Sequence, residues 1–303
     1  MENKITLVTA FFDIGRKDFK AIPRTNQKYL GDFKFWARMR NQLIVFTDKA
    51  YAPEVLKIRT EYGLQNLTQI IIIDDITTIE PEIFERMKEI HDNGWFTRFR
   101  ILPNATSNIP IYSYLMLLKG WFMNEASKQI PTGSLAWIDF GYNHGGECFT
   151  HSEDFDFEWV FPQKEKIFLF YYKRIDKKPI YETIRRLSDS YMGSPYIIPS
   201  HLCPDFWALT KEVMNNLLAV DLYDDDQLLL LMATRKRPEL FDVEESDWFL
   251  PLKTYGNPSM RVRHAGKRPK YKQIIIDILN RYKRFKLAFR AALITFKDLN
   301  TKD

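Results

Sequence analysis

The sequence predicts an α/β fold in which a mixed, mainly parallel sheet is flanked by helices and followed by a basic amphipathic helix. Uninterrupted apolar runs alternate with helix-like stretches over about the first 75 residues. Runs of this kind, each followed by a turn, are typical of parallel strands that are buried on both faces. The 303 residues, 45% hydrophobic and 27% charged, suffice to bury the core that such a fold needs. These observations favour strand–helix–strand units with right-handed crossovers.

The elements follow in order along the chain. Strands are predicted at 5–12, 43–46, 69–73, 134–138 and 168–172. Helices are predicted at 29–41, 53–62, 80–92, 112–129 and 211–218, and another follows the acids at 224–226. A short apolar element is expected at 206–209. Since parallel sheets bind ligands beyond the carboxyl ends of their strands, the functional edge is expected to carry Thr9, Phe11, Asp13, Arg16, Asp48 and Asp74.

Charge is distributed unevenly. Residues 267–297 contain ten Lys and Arg against one acid, a net +9 in a chain of net +5, so the remainder carries −4. Apolar residues recur there every three or four positions, at Ile274, Ile278, Tyr282, Phe285, Phe289, Leu293 and Phe296. Such a helix either packs its apolar stripe on the body or binds an anionic membrane surface, and we favour the membrane. The sequence therefore divides into a domain at 1–267 and a helical extension at 268–303.

Other classes of protein are disfavoured. The two cysteines, Cys148 and Cys203, form no CxxC pair, so a disulfide framework or a structural zinc site is not expected. The amino terminus does not resemble a signal peptide, and no apolar run is long enough to span a membrane. The acidic body lacks interleaved basic and aromatic residues, so nucleic-acid binding is not predicted. We expect a cytoplasmic protein that is peripheral on the inner membrane.

Three segments carry residues suited to chemistry. Asp139 follows a predicted strand, where a carboxylate can ligate a divalent cation while Gly141 lets the backbone approach phosphates. The alternative is an ordinary turn residue or helix cap.

The second segment is the acidic run before the apolar helix. Asp226, with Asp225 and Gln227 beside it, could face an acceptor hydroxyl as a catalytic base. The same acids would also be a normal N-terminal cap, and the sequence leaves both interpretations open.

The third segment, 260–267, is basic. His264 could ligate a metal, while Arg261, Arg263 and Lys267 could neutralise a leaving diphosphate. An exposed basic loop is the alternative.

Residues 5–16, 41–48 and 137–142 resemble the HtrL/YibB family of bacterial proteins, and the resemblance extends over roughly residues 4–267. The family is associated with lipopolysaccharide, lipooligosaccharide or capsule assembly and is placed with GT-A-like, Rossmann-like transferases. The resemblance implies that Thr9, Ala10 and Phe11 line the nucleoside. Asp48 would then approach the base or ribose, and Asp139 would serve metal and diphosphate. The predicted donor site also includes Arg16, Lys119, Gly141, Tyr142 and Lys267.

The predicted function is that of a glycosyltransferase. It would move a sugar from a nucleotide-diphosphate donor, a UDP-sugar first, to a glycan or glycolipid acceptor. Mn²⁺ or Mg²⁺ would be bound by Asp139 and His264, although Gly141 stands where GT-A enzymes usually carry a second acid. That substitution and the basic helix motivate an alternative, a non-catalytic membrane-surface or polysaccharide-binding protein on a degenerate transferase scaffold.

Overall fold

A computed structural model describes most of the chain: residues 4–20, 22–100, 106–145, 148–162, 164–172, 177–186, 190–246 and 250–263, with Tyr282, Phe285, Lys286 and Phe289. The chain divides into two units, Met1–Val262 and Arg263–Asp303. His264 and Lys267 lie outside the described residues, and so does most of the predicted amphipathic helix. The four described residues of that helix are helical and exposed.

The first unit is built on a seven-stranded sheet in the order β3-β2-β1-β4-β6-β5-β7. Its strands are β1 (Ile5–Phe11), β2 (Leu43–Thr47), β3 (Thr68–Ile72), β4 (Ser134–Trp137), β5 (Ile167–Tyr171), β6 (Tyr196–Pro199) and β7 (Phe241–Glu245). β6 runs antiparallel to β4 and β5, whereas the other neighbours are parallel. The predicted α/β class with a mixed, mainly parallel sheet is confirmed.

Helices cover both faces of this sheet. They are α1 (Asn26–Trp36), α2 (Ala52–Glu61), α3 (Pro81–Asp92), α4 (Trp95–Phe99), α5 (Pro110–Ser127), α6 (Ile180–Arg186), α7 (Cys203–Leu218), α8 (Asp226–Lys236) and α9 (Pro251–Tyr255). Successive strand residues point to opposite faces, so Leu7 packs with α1 and α2 while Val8 packs with α3, α5, α7 and α8. Both faces are apolar, which explains the uninterrupted hydrophobic runs in the strands.

Two helix boundaries differ from the prediction. α1 ends at Trp36 instead of continuing to Asn41, and the buried Arg59 guanidinium donates to the carbonyls of Ala37, Met39 and Asn41. These bonds satisfy backbone acceptors just beyond the helix and so stabilise its early end. α7 begins at Cys203, so the apolar residues 206–209 belong to one helix and do not form a separate element.

Two short strands were not predicted. β6 has only four residues and ends in a proline, and β7 contains three acids in five residues. Neither composition is typical of a strand, because proline and acidic residues are depleted in sheets. Among the described residues, no helix is long and apolar enough to cross a membrane.

Candidate active site

A cleft of about 290 Å³ opens where β1 and β4 end. β1 and its following turn form one wall, the turn after β4 forms another, and α5 with part of α1 completes it. The lining residues include Ala10, Phe11, Arg16, Arg24, Tyr29, Tyr112, Met116, Lys119, Trp137, Asp139, Phe140, Gly141 and His144. The carboxyl ends of neighbouring parallel strands meet here, as expected for a ligand site in an α/β sheet.

An aromatic cluster forms beside this cleft. The ring of Phe11 stacks on Phe140 with a centroid distance of 4.6 Å and also contacts Tyr29 and Tyr51. Gly141 makes room for this packing, because a Cβ there would lie 3.1 Å from ring carbons of Tyr29. Phe11 and Phe140 are buried in this cluster, so Tyr29, which is partly exposed and lines the cleft, is the ring of the cluster best placed to contact a base or sugar.

Asp139 is the carboxylate on the cleft wall. Its backbone N–H donates to Ser194 Oγ at 2.9 Å, which fixes the turn after β4. Its Oδ1 accepts from Trp137 Nε1 and from Lys119 Nζ, each at 2.7 Å. Oδ2 has no partner among the described residues, and the side chain is 44% exposed. Asp139 is thus held through Oδ1, while its partly exposed carboxylate lines the cleft.

Lys119 is buried in α5 and joins two acids. Its Nζ lies 2.7 Å from Asp139 Oδ1 and 2.5 Å from Asp226 Oδ2, and it donates to the carbonyl of Gly193 at 3.1 Å. Burial alone would lower the pKa of Lys119, but the charges and hydrogen bonds of Asp139 and Asp226 raise it above its ordinary value. An ammonium has three hydrogens to donate, and these three acceptors use them all.

Lys119 lines the cleft, so its direct contact with a donor stays a prediction. Its contacts with Asp139 and Asp226 hold these two acids in place. We call these three residues the Asp139–Lys119–Asp226 clamp.

Asp226 lies behind Lys119 and not on the wall of the cleft. It is the first residue of α8, is 9% exposed, and does not line the described cleft. Burial raises the pKa of its carboxyl group, and the ammonium of Lys119 opposes that rise. A Cβ at Gly193 would lie 2.1 Å from Asp226 Oδ2, so only glycine permits this close approach. This burial favours a supporting role for Asp226, and its predicted contact with the acceptor stays a prediction.

The neighbouring acids serve the start of α8. Asp225 is the N-cap, and its side chain accepts from the backbone N–H of Gln227 at 3.3 Å. Asp224 is buried and pairs with Arg100 at 3.2 Å. Neither Asp225 nor Gln227 lines the described cleft, so the structural role left open by the sequence is the one that the contacts favour.

Arg16 lines the cleft from the turn after β1 and is only 5% exposed. Its guanidinium contacts the rings of Phe19 and Tyr112, with Cζ 5.0 and 4.9 Å from their centroids. Its Nε and Nη1 are buried without a hydrogen-bond partner in the described part of the chain. Among the described residues, no acceptor satisfies this buried cation in the cleft.

Three predicted donor residues lie elsewhere. Asp48 follows β2, whereas the cleft lies at the ends of β1 and β4. Its side chain accepts hydrogen bonds from the backbone N–H groups of Ala50 and Tyr51 at the start of α2. Thr9 and Tyr142 are buried and do not line the cleft. Ala10, Phe11, Arg16, Lys119, Asp139 and Gly141 do line it.

The described residues include only one of the two predicted metal ligands, Asp139, because His264 lies outside them. None of their His, Cys, Asp and Glu side chains come together in a group of three or more that could hold an ion. Asp139 contacts the ammonium of Lys119, a cation supplied by the chain itself, and Gly141 offers no ligand. A divalent cation on Asp139 would need further ligands from outside this set.

Sequence reasoning missed several residues of the site. Tyr112 lies seven positions before Lys119 on α5, so helical spacing placed both on one face and could have suggested it. Trp137 lies in the segment 137–142 that carries the family resemblance, but its identity alone does not indicate that its Nε1 donates to Asp139. Gly193 and Ser194 precede β6, which was itself not predicted, so no local signal pointed to them.

Fold and cleft together define an α/β protein with a charged, ligand-sized site at the carboxyl edge of its sheet. Residues 3–256 match the family described as "Bacterial protein of unknown function (HtrL_YibB)", and the chain belongs to that family. The resemblance seen in the sequence is therefore confirmed. "Protein HtrL" of Escherichia coli (strain K12) is 28% identical over 269 residues, covering 82% of this chain and 91% of that protein.

Two solved structures are similar to part of this chain. Mouse xyloside xylosyltransferase 1 in its apo form has a TM-score of 0.39 and 12% identity, with 84% of this chain and 91% of that chain covered. PaToxG glycosyltransferase has a TM-score of 0.30 and 8% identity, with 78% and 70% covered. Such low scores and identities say nothing about the activity of this chain.

Proposed function

We propose that this protein is a glycosyltransferase that moves a sugar from a nucleotide-diphosphate donor to a hydroxyl of a glycan or glycolipid acceptor. The observation that carries the proposal is the environment of the Asp139 carboxylate. Oδ1 is held by Lys119 and Trp137, and the partly exposed carboxylate lines a cleft that also contains aromatic rings and a buried cation. Hydroxyls, a planar base and phosphate are the groups that these three features suit.

The reaction requires one proton acceptor. The acceptor oxygen forms a bond to the anomeric carbon while the bond from that carbon to the diphosphate oxygen breaks, and the diphosphate leaves with the electron pair. The acceptor hydroxyl must also lose its proton. In this proposal Asp139 Oδ2 takes that proton or orients the hydroxyl, because Asp139 is the acid of the clamp that reaches the cleft. Asp226 and Lys119 position it.

The finer predictions are part of the same proposal. A UDP-sugar is the first donor to test, and the acceptor belongs to lipopolysaccharide, lipooligosaccharide or capsule assembly. Binding of Mn²⁺ or Mg²⁺ through Asp139 and His264 stays a prediction, since His264 lies outside the described residues. No step above depends on a metal. Peripheral attachment to the inner membrane would bring the enzyme to a lipid-linked acceptor.

Asp139→Asn tests the proposal. Asparagine keeps an oxygen for Trp137 and Lys119 but lacks the negative charge, so UDP binding measured by titration calorimetry should change by less than about threefold. UDP release from UDP-sugars in the presence of bacterial glycan acceptors should fall by roughly 10²–10⁴-fold, the range of a lost acid–base group. Initial rates of UDP release measure this.

Asp48→Asn is the matched control, because it changes an acid at the neighbouring strand end whose capping role asparagine can perform. It should leave binding and release unchanged. A wild-type protein that binds no UDP, GDP or CMP, with or without Mn²⁺, would contradict the transferase and favour a non-catalytic binding protein.

A further inference from the structure

Arg16 differs from the other buried arginines in what satisfies it. Within the described residues Arg16, Arg59 and Arg100 are the buried arginines. Arg59 donates to three backbone carbonyls, and Arg100 donates to Ser107 and to a backbone carbonyl and pairs with Asp224. Arg16 has aromatic rings on its guanidinium but no hydrogen-bond acceptor in this part of the chain.

An unsatisfied buried cation is costly, because a guanidinium removed from water loses hydrogen bonds that ring contacts do not replace. Contacts with ring faces use none of the hydrogen bonds that the guanidinium N–H groups can donate, so these groups stay available to an acceptor. Arg16 also lines the cleft. A ligand anion in the cleft would supply the missing acceptor.

The charged groups of the clamp do not use the hydrogen-bonding capacity of Arg16. The three acceptors around Lys119 use its hydrogens, and they include Asp139 and Asp226. Asp226 and one oxygen of Asp139 are therefore engaged within the clamp, and among the described ion pairs none joins Arg16 to either acid. Its positive charge is left for a bound molecule.

We propose that Arg16 binds a phosphate group of the ligand directly, and that this contact, not a divalent cation on Asp139, holds the phosphate in the cleft. The inference rests on the proposed function for the identity of the ligand as a nucleoside diphosphate. The anion site itself rests on the contacts of Arg16. A guanidinium suits this task because its fork of N–H groups matches two oxygens of one phosphate.

Titration calorimetry on the full chain in EDTA tests the proposal with three probes: UDP, inorganic pyrophosphate and uridine. We expect wild-type protein to bind UDP and pyrophosphate without metal. Arg16→Gln should weaken both by at least about tenfold, the effect of losing a charge-assisted hydrogen bond, and leave uridine binding unchanged. Lys17→Gln is the control, since Lys17 is an exposed cation on the same turn that does not line the cleft.

Urea unfolding without ligand separates a binding role from a structural one. Because the unpaired guanidinium is costly to bury, Arg16→Gln should unfold at the same or a higher urea concentration than wild type. Pyrophosphate should stabilise the wild type and Lys17→Gln but not Arg16→Gln. Arg16→Lys keeps the charge without the planar fork and should bind pyrophosphate with intermediate affinity.

The outcomes distinguish this inference from the proposed function. Equal UDP and pyrophosphate affinities in wild type and Arg16→Gln would overturn the role of Arg16 and leave the UDP donor standing. Binding that is lost in EDTA and restored by Mn²⁺ would overturn the metal-independent contact. Arg16-dependent binding of pyrophosphate without any binding of UDP would support the anion site and contradict the nucleotide donor. No binding of any probe would overturn both.

Discussion

A single ammonium decides how the acids of the site are used. The Lys119 ammonium contacts one oxygen of Asp139 and one of Asp226, so it holds together two carboxylates that would otherwise repel each other. The buried Asp226 holds Lys119 in place, and the partly exposed Asp139 lines the cleft. This arrangement depends on both acids contacting the same ammonium. Removing one partner of such a cluster leaves an uncompensated buried charge.

Gly193 is the residue on which this packing depends most directly. In Gly193→Ala the new Cβ would collide with Asp226 Oδ2, so Asp226 must move away from Lys119. We expect a loss of about 1–3 kcal/mol in the free energy of unfolding, the usual effect of overpacking, measured by urea denaturation. Asp139 would lose its support, so UDP release should fall as well.

Gly31→Ala is the matched control for that substitution. Gly31 lies in α1 with open space around its Cβ position. Alanine is the better helix former, so this variant should gain about 0.5–1 kcal/mol. Equal stability of the two alanine variants would contradict the close contact at Gly193.

The amino-terminal end of α8 concentrates three acids in three residues. Asp224 pairs with Arg100 and Asp226 with Lys119, which leaves Asp225 as the N-cap without a cation of its own among its described hydrogen bonds and ion pairs. Burial, followed by the charges of Asp224 and Asp226, raises the pKa of Asp225 well above its ordinary value, and Arg100 opposes the rise. The helix therefore begins at an electrostatic cost.

This cost makes stability depend on pH in a defined direction. The folded chain holds a proton on Asp225 at a pH where the unfolded chain, with an ordinary pKa near 3.8, has released it. Stability from this group therefore falls as pH rises from 3.8 through the raised folded pKa. Asp225→Asn keeps the cap without the charge, so its stability advantage over wild type should grow across that window and then level off.

Urea unfolding of both proteins at several pH values between 4 and 8 measures the difference. Asp205→Asn provides the control, since Asp205 is an exposed acid in the first turn of α7. Its difference from wild type should not grow with pH in this way. A constant difference for Asp225→Asn would contradict the raised pKa.

At the scale of the whole molecule, charge separates an acidic body from a basic carboxyl-terminal segment. Residues 267–297 carry a net +9 while the rest of the chain carries −4. The described residues Tyr282, Phe285 and Phe289 belong to the predicted apolar stripe and are exposed, with the rings of Phe285 and Phe289 stacked. Exposed rings beside cations are typical of helices that bind membrane surfaces.

Deletion of the residues after Lys267 should abolish cosedimentation with vesicles that contain phosphatidylglycerol. At about 1 kcal/mol for each Lys or Arg near an anionic surface, the segment would account for most of the attraction. Pure phosphatidylcholine vesicles are the control and should bind neither protein strongly. UDP binding should survive the deletion, and unchanged binding to anionic vesicles would exclude this segment as the anchor.

Features that depend on residues close together in the chain were predicted well, whereas features that depend on distant residues were not. The first three strands, and the helices between them, follow from local hydrophobic patterns and were placed within a few residues. α7 and β6 were misjudged because Cys203 and Pro199 carry weak local signals, and their conformations depend on packing against the sheet. The sequence showed that residues 224–226 are acidic. It did not show that Asp225 caps α8 while Asp226 pairs with Lys119.

By itself, the sequence determined the α/β class, the position of Asp139 just after a buried strand and the separation of charge between body and tail. These are properties of short segments, since period and composition express them directly. Only the tertiary structure brought Lys119 to Asp226, 107 residues away, and placed Arg16 against the rings of Phe19 and Tyr112. Such contacts arise where crossovers fold distant segments onto one edge of the sheet, and no local pattern encodes which side chains will meet there.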